Sequence, residues 1–204
     1  HVEVLSRSAP GRIIEADQVP EAYLVRLTAA RPDIAGLSLA RPQIMGILNT
    51  TPDSFSDGGQ HAGIGDAVAA GQAMQADGAD ILDIGGESTR PGATFVAPQE
   101  EINRTAPGIA ALRAAGMDLP ISIDTRKAAV AEAAVNAGAN LVNDVSGFTF
   151  DPALGPMCQK LALPVCVMHA QGDPATMHLD PQYDNVLLDV FDALERQISM
   201  LEAS

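Results

Sequence analysis

Two stretches of this sequence gather side chains suited to an anion or a flat polar molecule. The first, Asn49-Thr50-Thr51-Pro52-Asp53-Ser54-Phe55-Ser56-Asp57-Gly58-Gly59, is polar, tipped by glycine and carries a single aromatic ring, Phe55. The second, Gly85-Gly86-Glu87-Ser88-Thr89-Arg90-Pro91-Gly92-Ala93, joins glycines that permit tight turns to Arg90, a planar cation fit for a carboxylate or phosphate. Three shorter groups follow: Ile123-Asp124-Thr125, Val142-Asn143-Asp144-Val145 and Val167-Met168-His169-Ala170-Gln171-Gly172. Asp124 brings a carboxylate acceptor, Asn143 a donor and an acceptor together, and Met168 a soft apolar surface. Plainer roles stand beside these. Asp124 could cap a helix that starts near Lys127, Asn143 could tie loops together, Met168 could fill core, and Arg90 could pair casually at the surface. His169 and His178 lack a third ligand of matching spacing and read as structural histidines, not a zinc pair. Asp83 and Asp144 are expected to orient neighbours. Arg126-Lys127 either offsets local acidity or begins a helix, and the second reading is preferred.

The chain around these groups is strongly anionic, with 12 basic against 26 acidic side chains and a net charge of −14. Such a surface repels a polyphosphate backbone or an anionic membrane, so neither nucleic acid nor a lipid surface is an expected partner. An anionic small molecule must then be met locally, by Arg, Lys, a metal or backbone N–H groups. No run approaches the roughly 18 apolar residues that cross a bilayer. No signal peptide is visible after His1, and a cytoplasmic location is expected. The two cysteines, Cys158 and Cys166, form no C-x-x-C pair and read as buried free thiols. A length of 204 residues suits one domain.

The elements that must position the polar groups come from the hydrophobic pattern. Residues 1–43 carry Pro10, Pro20, Pro32 and Pro42 and read as a leader packed on the main domain, with a short helix from Pro20 to about Ala30. From residue 44 onward, aliphatic runs predict strands at Ile44–Leu48, Ile81–Ile84, Ile121–Ile123, Leu141-Val142 and Pro164–Met168. Helical spacing predicts helices through Ile64–Met74, through Ile102–Leu112 with a kink near Pro107, and over Lys127–Val135, Pro152–Leu161 and Asp184–Leu201. The last has Val186, Val190, Leu194, Ile198 and Leu201 inward. Five strand-then-helix units imply a parallel sheet with right-handed crossovers. In each unit the unusual polar residues fall at the strand's C-terminal end, the face that carries the chemistry of a (β/α)₈ barrel. No G-x-G-x-x-G follows the first strand, which weakens a dinucleotide-binding sheet.

The two long motifs and the three short ones, in this order over residues 44 to about 183, resemble the signatures of the dihydropteroate synthase family. The resemblance implies an α/β fold, a TIM (β/α)₈ barrel, incomplete here with about five βα units in residues 44–204. It implies a transferase of folate biosynthesis, a sulfonamide target, that joins 6-hydroxymethyl-7,8-dihydropterin diphosphate to p-aminobenzoate and releases diphosphate. By resemblance, Asp124, Asn143 and Met168 bind the pterin. Phe55, Thr89, Arg90 and Pro91 meet p-aminobenzoate and diphosphate, and Asn49 is a ligand of Mg²⁺. Asp57 and Arg90 are the catalytic expectation, Asp57 favouring positive charge on the pterin methylene as diphosphate leaves. A homodimer is implied when the barrel is complete. The family's later motifs, a strand-six Asp with a glycine-rich loop and Lys, a Ser-Arg-Lys segment and a final Arg-x-His, have no counterpart in these residues. Both ends read as cut, and the 204 residues alone are expected to turn over poorly or not to fold. Two rivals remain. One is a methyltetrahydrofolate-dependent corrinoid methyltransferase, which has no need of the Glu87–Gly92 segment. The other is an inactive truncated pterin-binding module.

Overall fold

The computed structural model describes residues 1–50, 59–88, 94–172 and 181–203, and only the backbone of 59–62. Its body is a run of βα units: β3 (Met45–Asn49), α2 (Gly59–Ala76), β4 (Ile81–Gly85), α3 (Pro98–Ala114), β5 (Ile121–Asp124), α4 (Ala128–Ala137), β6 (Leu141–Asp144), α5 (Leu154–Lys160), β7 (Val165–Val167) and α6 (Val186–Ala203). Ahead of it, β1 (Val2–Val4) and β2 (Arg12–Ile14) pair antiparallel, and α1 spans Glu21–Thr28. The main sheet has five strands in the order β3-β4-β5-β6-β7, and every pairing is parallel. Spatial order that follows chain order belongs to an arc of barrel; a doubly wound sheet reverses direction at a switch point.

Register explains where the core sits. Leu48 pairs with Ile84, Ile84 with Ile123, and Ile123 with Val142, so these side chains share one face. That face is fully covered, Ile123 and Val142 being 0% exposed. Leu82, Ile121, Ile109, Leu112, Val130, Ala134 and Leu154 complete the cluster, supplied by strands and by α3, α4 and α5. Right-handed crossovers place every connecting helix on the same side. On the opposite face Ile47 at the end of the row is 55% exposed, whereas Asp83, Ser122 and Leu141 in register with it are buried. Close packing has a local requirement at Gly71 of α2, where an added Cβ would lie 2.7 Å from Leu112 Cδ2. Residues 1–43 contribute no buried side chain. Arg7 meets Asp189 and Asp192 of α6, and Arg41 meets Asp80, all at 2.6 Å.

Several sequence expectations change here. The β1–β2 hairpin was not foreseen, although Val2 and Val4 alternate with Glu3 and a Pro-Gly step precedes Arg12. α3 spans Pro98–Ala114 as one helix with Pro107 inside it, as its spacing predicts. On α6, Val190, Leu194 and Leu201 are half-buried as expected, but Val186 and Ile198 are exposed. Among the described residues the helix packs chiefly on the short edge strand β7 and on α5, so its covered stripe is narrow. Cys158 is buried, and burial pushes its thiol up to about 11. Cys166 is exposed, contrary to the expectation, because alternation along β7 turns it to the face opposite the helices. Among the described residues, no helix is long and apolar enough to cross a membrane.

The contrast between Ile123 and Ile47 makes a directional prediction. Ile123→Ala should cost about 2–5 kcal/mol in urea denaturation, as a cavity in a packed interior does. Ile47→Ala, a same-sheet truncation on the opposite face, should stay within about 1 kcal/mol. Equal losses would mean that Ile47 is also packed.

Candidate active site

The same register that buries the aliphatic row gathers the polar one. Asn49 pairs with Gly85, Gly85 with Asp124, Asp124 with Asn143, and Asn143 with Cys166. Residues in register on parallel strands project to one face, and these sit at or next to the strands' C-terminal ends. With strands about 4.8 Å apart, the row from Asn49 to Asn143 spans roughly 14 Å. Gly85 leaves a gap in it. A Cβ there would lie 3.5 Å from Asp124 Oδ2 and 3.7 Å from Asn49 Oδ1. Met168 follows β7 immediately and is half-buried. Asn49, Asp124, Asn143 and Met168 are thus brought to one end of one sheet.

Asp124 is the most perturbed acid of the row. Its pKa is raised to about 7, first by burial and then by the charges of Asp83, Asp144, Glu101 and Glu87. It does not cap α4. The Ala128 N–H donates to Asp151 Oδ2 at 2.8 Å, and the Lys127 N–H to Thr125 Oγ1 at 3.3 Å. A half-buried carboxyl free of that duty is set up to accept hydrogen bonds from a ligand. Asn143 is held in place as well. Its Nδ2 donates to Asp83 Oδ2 at 3.1 Å, which fixes the amide orientation. Burial raises the Asp83 pKa, and hydrogen bonding from Asn143 opposes the rise. Asp144, also raised by burial, holds the turn after β6 by accepting from the Ser146 N–H at 2.7 Å, the Ser146 hydroxyl at 2.9 Å and the Phe148 N–H at 2.8 Å. Both acids orient neighbours, as expected.

Behind the row lies a charged group that sequence reasoning underrated. Lys127 is buried and ion-paired to Glu87 at 2.9 Å and to Glu101 of α3. Thr125 donates its hydroxyl to Glu101 Oε1 at 2.6 Å, and Arg126 Nε donates to Glu87 Oε2 at 3.1 Å. Burial would raise the Glu87 pKa, but the Val96 N–H, Lys127 and Arg126 outweigh it and hold the group low. Lys127 therefore offsets buried acidity while also standing at the α4 N-cap, and the reading of it as merely a helix start is corrected. The partners are 40 and 26 residues away in sequence, so no short-range pattern announces them.

Phe55, Asp57, Thr89, Arg90, Pro91 and His178 lie outside the described residues. His169 Nε2 and the Tyr183 hydroxyl share a hydrogen bond of 3.1 Å, in keeping with a structural role. Among the described residues, no three His, Cys, Asp or Glu side chains gather as a metal cage. The neutral Asn49 oxygen beside the Gly85 gap fits a hard cation held mostly by water and phosphate oxygens.

Comparison with known proteins bears directly on this geometry. The family model described as pterin binding enzyme matches residues 45–204. The chain is 48% identical over 161 residues to dihydropteroate synthase of Haemophilus influenzae, covering 79% of this chain and 58% of that protein. Its fold is similar to Xanthomonas albilineans dihydropteroate synthase with 4-aminobenzoic acid, at a TM-score of 0.76, 47% identity, and coverage of 86% of this chain and 62% of the other. It is also similar to Yersinia pestis dihydropteroate synthase in a sulfonamide drug complex, at 0.74, 46%, 82% and 60%. The chain thus spans less than two thirds of each of these proteins.

The Asp124 environment predicts a sign for pH dependence. The folded carboxyl holds its proton up to about 7 against 3.8 unfolded, so stability falls as pH rises between those values. Asp124→Asn should therefore stabilise the chain at pH 8, by up to about 4 kcal/mol, and leave it nearly unchanged at pH 3.5. Denaturant titrations at the two pH values decide it, and equal effects at both would refute the shift.

Proposed function

This chain belongs to the pterin-binding enzyme family, and on that premise we propose that it carries the pterin-gripping part of a dihydropteroate synthase. The reaction joins 6-hydroxymethyl-7,8-dihydropterin diphosphate to p-aminobenzoate, yielding 7,8-dihydropteroate and diphosphate. One observation supports the reading above others: Asn49, Asp124 and Asn143 stand in one register row on the face opposite the helices, with Asp124 not used as a cap.

A pterin edge offers amino and ring N–H donors. Asp124, costly to ionise where it sits, accepts them, and the ligand's donors supply the stabilisation that burial took away. Asn143, oriented by Asp83, reads the adjoining edge with its free oxygen. Met168 covers part of the ring face. With the ring fixed, the arylamine nitrogen donates its lone pair to the methylene carbon, the carbon–oxygen bond to diphosphate breaks, and the amine proton passes to solvent. Arg90 and Thr89 meet the diphosphate and the p-aminobenzoate carboxylate, Pro91 and Phe55 flank the aromatic ring, and Asp57 faces the methylene as positive charge builds there. Mg²⁺ bound at the Asn49 oxygen would neutralise charge on the departing diphosphate. The role places the protein in the cytoplasm and, when the barrel is whole, in a homodimer. Free cysteines suit the first.

The assay is diphosphate release that depends on p-aminobenzoate. Asp124→Ala should abolish pterin binding, and in the protein with its barrel complete Arg90→Ala should raise KM for p-aminobenzoate or lower kcat by ~10-fold or more. Methyl transfer from methyltetrahydrofolate without diphosphate release would instead identify the corrinoid-dependent rival.

A further inference from the structure

The buried charges around Lys127 connect two parts of the site that the sheet alone leaves independent. β4 and β5 end side by side, Gly85 opposite Asp124, and the chain then leaves each strand separately. After β4 it runs through Gly86 and Glu87. Gly86 is pressed against α3, where a Cβ would lie 2.8 Å from Thr105 Cγ2 and 3.0 Å from Glu101 Cγ, and its carbonyl accepts from Arg104 Nη1 at 3.0 Å. Glu87 then reaches across its own segment: Oε1 accepts the Val96 N–H at 2.8 Å. One carboxylate thereby ties together the points where the segment between Glu87 and Val96 departs and returns. The second oxygen of Glu87 is held by Lys127 and Arg126, which belong to the turn directly after Asp124. Lys127 also lies over the Phe95 ring, 4.8 Å from its centroid, and is braced below by Glu101.

We propose that Glu87, Lys127 and Glu101 form a positioning device, which holds both ends of the segment between Glu87 and Val96 against the strand end that bears Asp124 and so sets the use of p-aminobenzoate without contributing to pterin affinity. The proposal rests on the dihydropteroate synthase reading, in which Thr89, Arg90 and Pro91 of that segment meet p-aminobenzoate. Its physical basis is the cost of a lone buried charge. Lys127 and Glu101 are both nearly inaccessible, so each is stable there only with its partner, and the geometry is correspondingly hard to relax. A surface ion pair would hold nothing in place. Two of the group's contacts, to Val96 and Phe95, fall at the return of one segment whose departure is held by Arg104 of α3 at the Gly86 carbonyl, which plain packing does not require.

The experiment has a structural arm and a kinetic arm, both run on the protein with its barrel complete. Glu87→Ala removes the acceptor of the Val96 N–H, and its amide exchange should quicken ~10-fold or more while amides within β4 and β5 keep their rates. In the same variant KM for p-aminobenzoate should rise ~10-fold or more, with calorimetric pterin affinity within ~3-fold of the parent. Lys127→Met should show the same split, and Lys127→Arg, which keeps the cation, should recover most of the loss. If Lys127→Met does not fold, Glu87→Gln takes its place, retaining an acceptor for Val96 but weakening the tie to Lys127. Unchanged Val96 exchange overturns the proposal. So does a parallel loss of pterin affinity, p-aminobenzoate use and melting temperature, which marks a general structural role. If the parent protein itself makes no use of p-aminobenzoate, the functional reading fails, and the exchange arm alone decides whether the tie exists.

Discussion

Parallel pairing in a single register is the constraint from which the rest follows. Once Leu48, Ile84, Ile123 and Val142 line up against the helices, parity sends Asn49, Gly85, Asp124 and Asn143 to the other face at one level. Burial on one side and a polar row on the other are thus one event. A slip of one residue in β5 or β6 that brought Asp124 or Asn143 into the aliphatic layer would put Ile123 or Val142 into the mouth. The hydrophobic layer therefore specifies the site as well as stabilising the sheet.

The electrostatics show a chain of net charge −14 concentrating acids where they are costly. Asp83, Asp124, Asp144, Glu87 and Glu101 converge near the ends of three strands, and their mutual repulsion adds to burial in raising Asp124. The acids divide by the cations within reach. Glu87 and Glu101 share Lys127, and Glu87 also has Arg126, which holds Glu87 low and ties backbone segments together. Asp124 has no such partner among the described residues and keeps its proton up to about 7. One cluster thus yields a rigid part and a receptive part.

Much of this was legible in the chain. Aliphatic runs at regular spacing, glycine stops such as Gly138 with its left-handed φ of 119°, and polar groups at strand tips predict the five units and their shared end. Asp124 and Asn143 could be named from residue type and placement. Less was readable where partners are remote. Cys166 reads as core until β7 is known to be an edge strand. The inward stripe of α6 reads as wider than it is, because periodicity records what a helix can bury and not how many neighbours it meets. The β1–β2 pair is short and rich in exposed residues, so its alternation carries little hydrophobic signal.

By itself the sequence determined the order of elements and the end of the sheet where the polar groups collect, since periodicity and turn chemistry are local properties. Tertiary structure alone decided that Asp124 is not a cap, that its proton is held to about 7, and that Lys127 binds Glu87 and Glu101 across α3, α4 and the end of β4. Those facts depend on dielectric and on distances between residues far apart in the chain, and such quantities come into being only when the strands pair and the helices close over one face.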